Sequence, residues 1–430
     1  MSGLKIKGSN KGLLGEITVP GDKSISHRSI IIGSISNGNS LIANLLESED
    51  VKRTIDAFRN MGVCIEKTED GYYIEGVGLY GLNKPKGLID CGNSGTTARL
   101  LSGVLSGQRF DSILIGDKSL STRPMDRVIL PLKKMGAKIE GRVDKYLPIS
   151  ISQAENRLKS INYELPVASA QVKSAILLAT LYAQGKTSII ENKVTRDHTE
   201  RMLQYFGCSV YKEDNIIYMD SNSTPRGRNI YIPGDISSAS YFIVAATLIE
   251  GSDLVIKNVG VNPTRTGIIS VLNSMGANIR INNCKELNNE PVGDIHVKYS
   301  PLKGITIGGN VIGKLIDEIP VLAVAASLSN GTTVIKDAEE LKYKESNRIK
   351  TISYELKKMG ANIKELDDGL IIEGVRELKP SMLDSYNDHR IAMALSIAAL
   401  KATGESYISG HECIGISYPD FYNTLYSLLY

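Results

Sequence analysis

Acids, hydroxyls and glycines, most often with basic residues beside them, recur at two kinds of position along this 430-residue chain. The first kind is the start of a small-residue apolar run. Six such starts are Gly21-Asp22-Lys23-Ser24-Ile25-Ser26-His27-Arg28, Gly92-Asn93-Ser94-Gly95-Thr96-Thr97-Ala98-Arg99, Ser169-Ala170-Gln171-Val172-Lys173, Pro233-Gly234-Asp235-Ile236-Ser237-Ser238, Asp317-Glu318-Ile319-Pro320 and Tyr386-Asn387-Asp388-His389-Arg390. Each reads as the cap and first turn of a buried helix, with Ser94 or Thr96 capping the second. Free backbone N–H groups at a helix start attract anions, and glycine lets a ligand approach the backbone closely. The second kind is a loop after a strand: Glu49-Asp50, Ser121-Thr122-Arg123-Pro124-Met125-Asp126-Arg127, Thr195-Arg196-Asp197-His198-Thr199-Glu200-Arg201, Asn262-Pro263-Thr264-Arg265 and Lys342-Tyr343-Lys344-Glu345-Ser346-Asn347-Arg348. One such loop alone reads as a solvated helix cap. Recurrence at one structural level favours a shared site for small anions.

The elements that must position these residues form an internal repeat. Small-residue helices at 24–38, 94–107, 169–185, 237–251, 317–331 and 388–404 each end at glycine, with a period of roughly 70 residues. A β-rich stretch follows each one, then a loop and an amphipathic helix. In five units that helix closes on Met61-Gly62, Met135-Gly136, Phe206-Gly207, Met275-Gly276 or Met359-Gly360, and another strand follows. The sixth unit stops in its helix, at 418–430. The unit is βαβαββ, too small to stand alone. One helix per unit is apolar nearly all round and is expected to be buried; the other keeps a charged face. Three units sharing their buried helices give one pseudo-threefold domain, and six give two. The boundary is expected between the third and fourth units, where Pro225-Arg226-Gly227-Arg228 and Pro233-Gly234-Asp235 mark turns. The domains are then 21–232, and 1–20 with 233–430. The strand 15–19 is left over and is expected to close a sheet of the second domain. If parallel helices start on one face of each domain, both faces gather partial positive charge. Facing each other, they would form a cleft that anions pull shut.

Composition narrows the function classes. Hydrophobic residues make up 42% and charged residues 23%, as in a globular protein. There is no Trp and there are five Phe, which disfavours base-stacking platforms. The net charge of +3 is too small to advertise nucleic-acid binding. Cys64, Cys91, Cys208, Cys284 and Cys413 form no CxxC or Cys/His grouping, and read as reduced thiols of a cytoplasmic protein. No signal peptide, membrane span, metal-ligand cluster, Walker motif or dinucleotide fingerprint is visible.

From Gly8 to the Tyr418-Pro419-Asp420-Phe421 tail, the chain resembles the 5-enolpyruvylshikimate-3-phosphate synthase family. The signature is Gly-Asn-Ser-Gly-Thr-Thr-Ala-Arg with Tyr-Asn-Asp-His-Arg. Gly21-Asp22-Lys23, the Ser169–Lys173 and Arg196–Glu200 motifs and Asn262-Pro263-Thr264-Arg265 resemble its second class, often less sensitive to glyphosate. The resemblance implies an α/β fold, a two-domain inverse α/β barrel of six βαβαββ repeats. It implies transfer of the enolpyruvyl group of phosphoenolpyruvate to the 5-hydroxyl of shikimate 3-phosphate, with release of phosphate. It implies no metal or organic cofactor, and no nucleic-acid or membrane partner. The anionic substrates are the expected partners, and a monomer that opens and closes about residues 20 and 233 is the expected state.

By the same resemblance, shikimate 3-phosphate would contact Lys23, Ser24, Arg28, Ser169, Ala170, Gln171, Arg196, Asp317 and Lys344. A guanidinium fork at Arg196, with Ser169, would hold its phosphate. Phosphoenolpyruvate would contact Lys23, Asn93, Gly95, Arg123, Gln171, Arg348 and Arg390. Gly95 would line the place where glyphosate competes, and a methyl group there would crowd it. The family places Asp317, Glu345 and Lys23 at the reacting atoms, where C3 must gain and later lose a proton. Asp317 is expected as the base toward the 5-hydroxyl, with Glu345 and Lys23 sharing protonation. An acid at Glu345 would need burial or proton sharing to offset its cationic surroundings. Arg99 reads as structural first, and His389 reads equally as a helix-cap or scaffold residue or as a catalytic one. Three departures stand out: Ile416 where many first-class members have Lys, Ala170 for a second serine, and His27 where some members have Asn. A sister enzyme acting on UDP-N-acetylglucosamine typically carries a reactive cysteine in a catalytic loop, and residues 119–125 contain none. A non-catalytic binder of anionic metabolites would not need Asp317, Glu345 and Lys23 together.

Overall fold

Polar caps followed by small apolar residues set where the helices begin. In the computed structural model, which describes residues 3–429, Asp22 accepts from Ile25 N at 2.9 Å and opens the helix Lys23–Ser34. Ser94 accepts from Thr97 N at 3.2 Å and opens Gly95–Leu105. Ser169, Asp235 and Asp388 cap Ala170–Thr180, Ile236–Leu248 and His389–Lys401 in the same way. Each cap satisfies a backbone donor that the helix itself cannot.

The fifth start differs from the sequence expectation. Asp317 lies in a 3-10 turn, Ile316–Glu318, and the α-helix Ile319–Ser327 begins only afterwards. Pro320 explains this, because its ring would clash with the carbonyl of residue 316 if the α-helix began earlier. The helices also stop several residues short of the closing glycines, at Ser34, Leu105, Thr180, Leu248, Ser327 and Lys401.

Contacts divide the chain into two compact units. An inserted unit comprises Gly21–Ile232 with Glu286–Glu290; a flanking unit comprises Met1–Pro20, Pro233–Lys285 and Pro291–Tyr430. Each has its own apolar core. Every residue of Ile236–Leu248 and of Ile319–Ser327 is buried, so these helices form the centre of the flanking unit. In the inserted unit the helices Gly95–Leu105 and Ala170–Thr180 pack backbone to backbone. A Cβ on Gly103 would stand 2.3 Å from the Ala175 carbonyl oxygen, so no larger residue fits.

The sheets repeat one pattern. Ile89–Asp90 pairs in parallel with Ser112–Ile115, which pairs antiparallel with Tyr146–Ile151, which pairs antiparallel with Ile139–Arg142. Thr306–Ile307, Thr332–Ile335, Gly369–Glu373 and Asn362–Leu366 follow the same order in the flanking unit. Strands distant in sequence complete the series. Ile230–Tyr231 returns to pair with Ile42 and Ala43 of the first repeat. Leu14–Thr18 pairs in parallel with Asp253–Lys257 of the fourth. Leu4–Lys7, a strand the sequence reading did not single out, runs antiparallel to Glu405–Ser409 and supplies the strand the truncated sixth repeat lacks.

Candidate active site

In the inserted unit, three helix starts and two loops carry the polar groups. Lys23, in the first helical turn, makes an ion pair with Asp50, and both side chains are mostly buried. Asp50 lies at the start of the amphipathic helix Glu49–Asn60, whose cap is Ser48. Asn93 is clamped from two sides. Its Nδ2 donates to Asp117 Oδ2 at 2.7 Å, and its Oδ1 accepts from Arg123 Nη2 at 2.6 Å. Arg123 Nη2 also donates to Ser119 Oγ at 3.1 Å, so the arginine and the 92–95 turn hold each other. Gln171 Nε2 donates to Thr96 Oγ1 at 2.9 Å and ties the third helix start to the second.

Arg28 is 2% exposed. Its donors reach Thr199 Oγ1 at 2.6 Å, Ser24 O at 2.9 Å and Ser174 Oγ at 2.8 Å. Burial lowers its pKa to about 10, against the opposing pull of Glu200 and Asp22. Thr199 belongs to the helix His198–Tyr205, which directly follows the half-buried Arg196. A buried charge cluster fixes the same segment. Lys173 Nζ contacts Glu191 Oε1 at 2.9 Å and Glu200 Oε1 at 2.7 Å, and Thr195 N donates to Glu191 at 2.8 Å. Burial opposes the Lys173 charge, but Glu200 and Glu191 outweigh it and raise its pKa. Two partly buried cations, Arg196 and Lys23, thus stand on segments whose positions are fixed by buried polar bonds.

In the flanking unit the site is built around Arg348, which is 1% exposed and heads the helix Arg348–Lys358. Its Nε donates to Asp388 Oδ2 at 2.8 Å and its Nη2 to Asp388 Oδ1 at 3.2 Å, a two-point fork. Nη1 donates to Asp317 Oδ1 at 3.2 Å, and Nη2 also donates to Glu345. Lys344 Nζ lies 3.6 Å from Asp317 Oδ1, and Arg390 Nη2 lies 3.7 Å from Asp317 Oδ2. Five residues singled out from the sequence, Asp317, Lys344, Glu345, Arg348 and Arg390, therefore meet in one cluster. Burial opposes the Arg348 charge; Asp388, Glu345 and Asp317 more than offset this and raise its pKa. Behind the cluster, Arg265 Nη2 donates to Asp235 Oδ1 at 3.2 Å and to Ser237 Oγ at 2.8 Å, and Ser237 donates to Glu318. Glu318 Oε1 in turn lies 3.8 Å from Arg390 Nη1.

Several supporting residues escaped the sequence reading. Asp50 and Asp388 stood within the quoted motifs but were given no role of their own, and nothing around Asp117 or Glu191 distinguishes them from ordinary loop acids. Among the described residues no group of three or more His, Cys, Asp or Glu could hold a metal ion.

Each cluster offers cations that can bind an anion, and the one around Arg348 adds carboxylates that can take up a proton. A model of the family "EPSP synthase (3-phosphoshikimate 1-carboxyvinyltransferase)" matches residues 8–425 of the chain. The chain belongs to the EPSP synthase family. A 3-phosphoshikimate 1-carboxyvinyltransferase of Thermoanaerobacter sp. (strain X514) is 56% identical over 96% of this chain and 97% of that relative. The solved EPSP synthase of Acinetobacter baumannii superposes with a TM-score of 0.89, at 46% identity, over 99% of this chain and 97% of that one. The enolpyruvyl transferase NikO from Streptomyces tendae, at 17% identity, shares the fold with a TM-score of 0.80 over 99% of this chain and 96% of that one. The fold is thus that of the enolpyruvyl transferases. Cys91, beside the EPSP synthase glycine turn, is fully buried, and burial pushes its thiol up to about 12. It is no reactive thiolate.

Proposed function

We infer that this chain is a 3-phosphoshikimate 1-carboxyvinyltransferase, an enzyme of the shikimate route to aromatic amino acids. It transfers the enolpyruvyl group of phosphoenolpyruvate to the 5-hydroxyl of shikimate 3-phosphate and releases phosphate. The observation that carries this beyond family membership is the pair of carboxylates, Asp317 and Glu345, held on one buried arginine beside Lys344 and Arg390.

Arg196 and Ser169 hold the phosphate of shikimate 3-phosphate, while Ser24, Gln171 and Lys344 bind its ring hydroxyls and Arg28 braces Ser24 and Thr199. Asn93, the Gly95 backbone, Arg123, Arg348 and Arg390 bind the phosphate and carboxylate of phosphoenolpyruvate, where fixed cations stabilise charge that develops in reaction. Asp317 takes the proton of the 5-hydroxyl as its oxygen bonds to C2. Glu345 and Lys23 supply the proton that C3 gains. The tetrahedral intermediate then loses a C3 proton to the same groups, the bond from C2 to the phosphate oxygen breaks, and phosphate departs.

The deciding assay is phosphate release by purified protein with both substrates and with each omitted. Release that needs both is expected; release with UDP-N-acetylglucosamine in place of shikimate 3-phosphate would overturn the reading. We further propose a cytoplasmic monomer, supported by five free cysteines and by a single chain that carries both residue clusters. Among the described residues no helix is long and apolar enough to cross a membrane.

We also propose membership of the second, often glyphosate-tolerant class, supported by Gly21-Asp22-Lys23, the Ser169–Lys173 and Arg196–Glu200 motifs and Asn262-Pro263-Thr264-Arg265. Gly95 bears on this. A Cβ there would stand 2.6 Å from Arg99 Nη1, the mobile end of a long side chain, and 3.5 Å from Leu120 Cδ1. Arg99 can swing aside, so Gly95→Ala is expected to change unfolding free energy by less than about 1 kcal/mol. It is expected to raise the KM for phosphoenolpyruvate and the glyphosate concentration needed for inhibition. Unchanged values for both would remove Gly95 from the site.

A further inference from the structure

We infer that His27 is a positioning residue: it anchors a chain of buried hydroxyls that holds the 92–95 turn in register with Lys23. This rests on the reading that Lys23, Asn93 and Gly95 face phosphoenolpyruvate.

His27 Nδ1 lies 2.7 Å from Thr54 Oγ1, and Thr54 Oγ1 lies 2.7 Å from Thr97 Oγ1. Thr97 Oγ1 donates to Ser94 Oγ at 2.7 Å. His27, Thr54, Thr97 and Ser94 are all 0% exposed. They stand on three helices, Lys23–Ser34, Glu49–Asn60 and Gly95–Leu105, the last capped by Ser94 itself. The chain thus crosses from the helix that carries Lys23, through the helix that carries its ion-pair partner Asp50, to the turn that carries Asn93. Thr97 Oγ1 also lies 3.4 Å from the Asp50 carbonyl oxygen, a longer alternative acceptor for the one hydroxyl hydrogen that Ser94 Oγ takes at 2.7 Å.

The direction of the chain follows from the imidazole. Its Nε2 is buried with no hydrogen-bond partner. A buried N–H without an acceptor is rare and costly, whereas a bare ring nitrogen is tolerated better. The proton therefore sits on Nδ1 and is donated to Thr54. Thr54 can then donate to Thr97, and Thr97 to Ser94, so both threonine hydroxyl hydrogens of the relay point toward the turn. Burial holds the ring neutral and lowers its pKa to about 3; Lys23 and Arg28 push the same way, and Asp50 and Asp22 oppose. A neutral, fixed tautomer is what a permanent donor requires. Helix packing alone would orient the helices but would not fix the turn, since a cap with a rotatable hydroxyl can serve more than one backbone geometry.

The test is steady-state phosphate release with each substrate varied in turn, on wild type, Thr54→Val, His27→Leu and His27→Asn. Thr54→Val keeps the shape and removes only the hydroxyl, so a folded variant is available. Thr54→Val and His27→Leu are expected to raise the KM for phosphoenolpyruvate about ten-fold, the loss of roughly one buried hydrogen bond. The KM for shikimate 3-phosphate should stay within about two-fold. His27→Asn, whose amide N–H falls near the place of Nδ1–H, should restore the wild-type value. Unchanged KM values, or equal rises for both substrates, overturn the inference. Nitrogen-15 shifts of the wild-type imidazole give a readout independent of turnover: protonated Nδ1 with bare Nε2 supports the relay, and the reverse tautomer overturns it. Absence of turnover in wild type would sink the proposed function, and the tautomer would still decide the relay.

Discussion

Arg348→Met is expected to cost the flanking unit about 3–5 kcal/mol of stability at neutral pH, the effect of breaking a buried ion pair by removing one partner. Asp388 is fully buried and takes both arms of the fork, so its charge would be left uncompensated. The loss should depend on pH with a defined sign. In the wild type, burial pushes the Asp388 carboxyl up, but Arg348 outweighs it and holds the pKa below the ordinary value of 3.8. A carboxylate whose folded pKa is depressed contributes stability above its unfolded pKa, and loses that contribution as pH falls through the folded value. From neutral pH down to about 5, therefore, the wild-type contribution is intact. Without Arg348, burial and the neighbouring Glu345 raise the pKa of Asp388. Its penalty is then relieved as pH falls through that raised value. Denaturant unfolding of both proteins at pH about 7.5 and about 5 should show the gap narrowing in acid. A gap that widens, or stays below about 1 kcal/mol, would refute the account.

Asp317→Asn is expected to lower kcat by about 10²–10⁴-fold, the usual contribution of a positioned acid or base. The amide keeps the side-chain shape and can still accept from Arg348, so folding and substrate KM should change little. The reason for placing the base here is geometric. Asp317 sits in the 3-10 turn that Pro320 forces, ahead of the buried helix, with Arg348, Lys344 and Arg390 at 3.2, 3.6 and 3.7 Å. Such cations keep a carboxylate ionised and able to receive a proton. Single-turnover phosphate release, which can only follow that step, reports its slowing. Turnover within about three-fold of wild type would remove Asp317 from proton transfer.

Much of the fold was legible because the repeat states it six times. Capping residues such as Asp22, Ser94 and Ser169 mark helix starts by a local rule, and small apolar runs such as 322–328 mark burial without reference to partners. The flanking cluster was legible for two reasons: Lys344, Glu345 and Arg348 are neighbours in sequence, and the family resemblance named the distant Asp317 and Arg390 with them. What escaped are contacts between segments far apart in the chain. Asp117 clamps Asn93 across a loop, Glu191 meets Lys173 in the core, and Leu4–Lys7 finds its partner at Glu405–Ser409. Spacing along a chain carries no information on such meetings, because both partners look like ordinary loop acids or a short polar-apolar strand until they are folded together. His27 was noticed only as an unusual side chain, and its role depends on Thr54 and Thr97 from two other helices.

The two strands Leu4–Lys7 and Leu14–Thr18 have a consequence for how the protein is made. Both leave the ribosome before the inserted unit, yet their partners at Glu405–Ser409 and Asp253–Lys257 emerge long afterwards. At ordinary elongation rates of about 5–20 residues per second the first of these waits on the order of half a minute or more. Meanwhile the Gly21–Ile232 part of the inserted unit can close ahead of its later segment Glu286–Glu290. Its strand Ile230–Tyr231 closes onto the first repeat, and Asn44 Nδ2 donates to the Ile232 carbonyl at 2.7 Å. The nascent chain therefore passes through a stage with most of one unit formed and a waiting segment of unsatisfied strand edges. That stage is when a chaperone would matter most to the yield of this protein, and Lys5, Lys7 and Lys11 give the waiting tail the charge that discourages edge-to-edge aggregation.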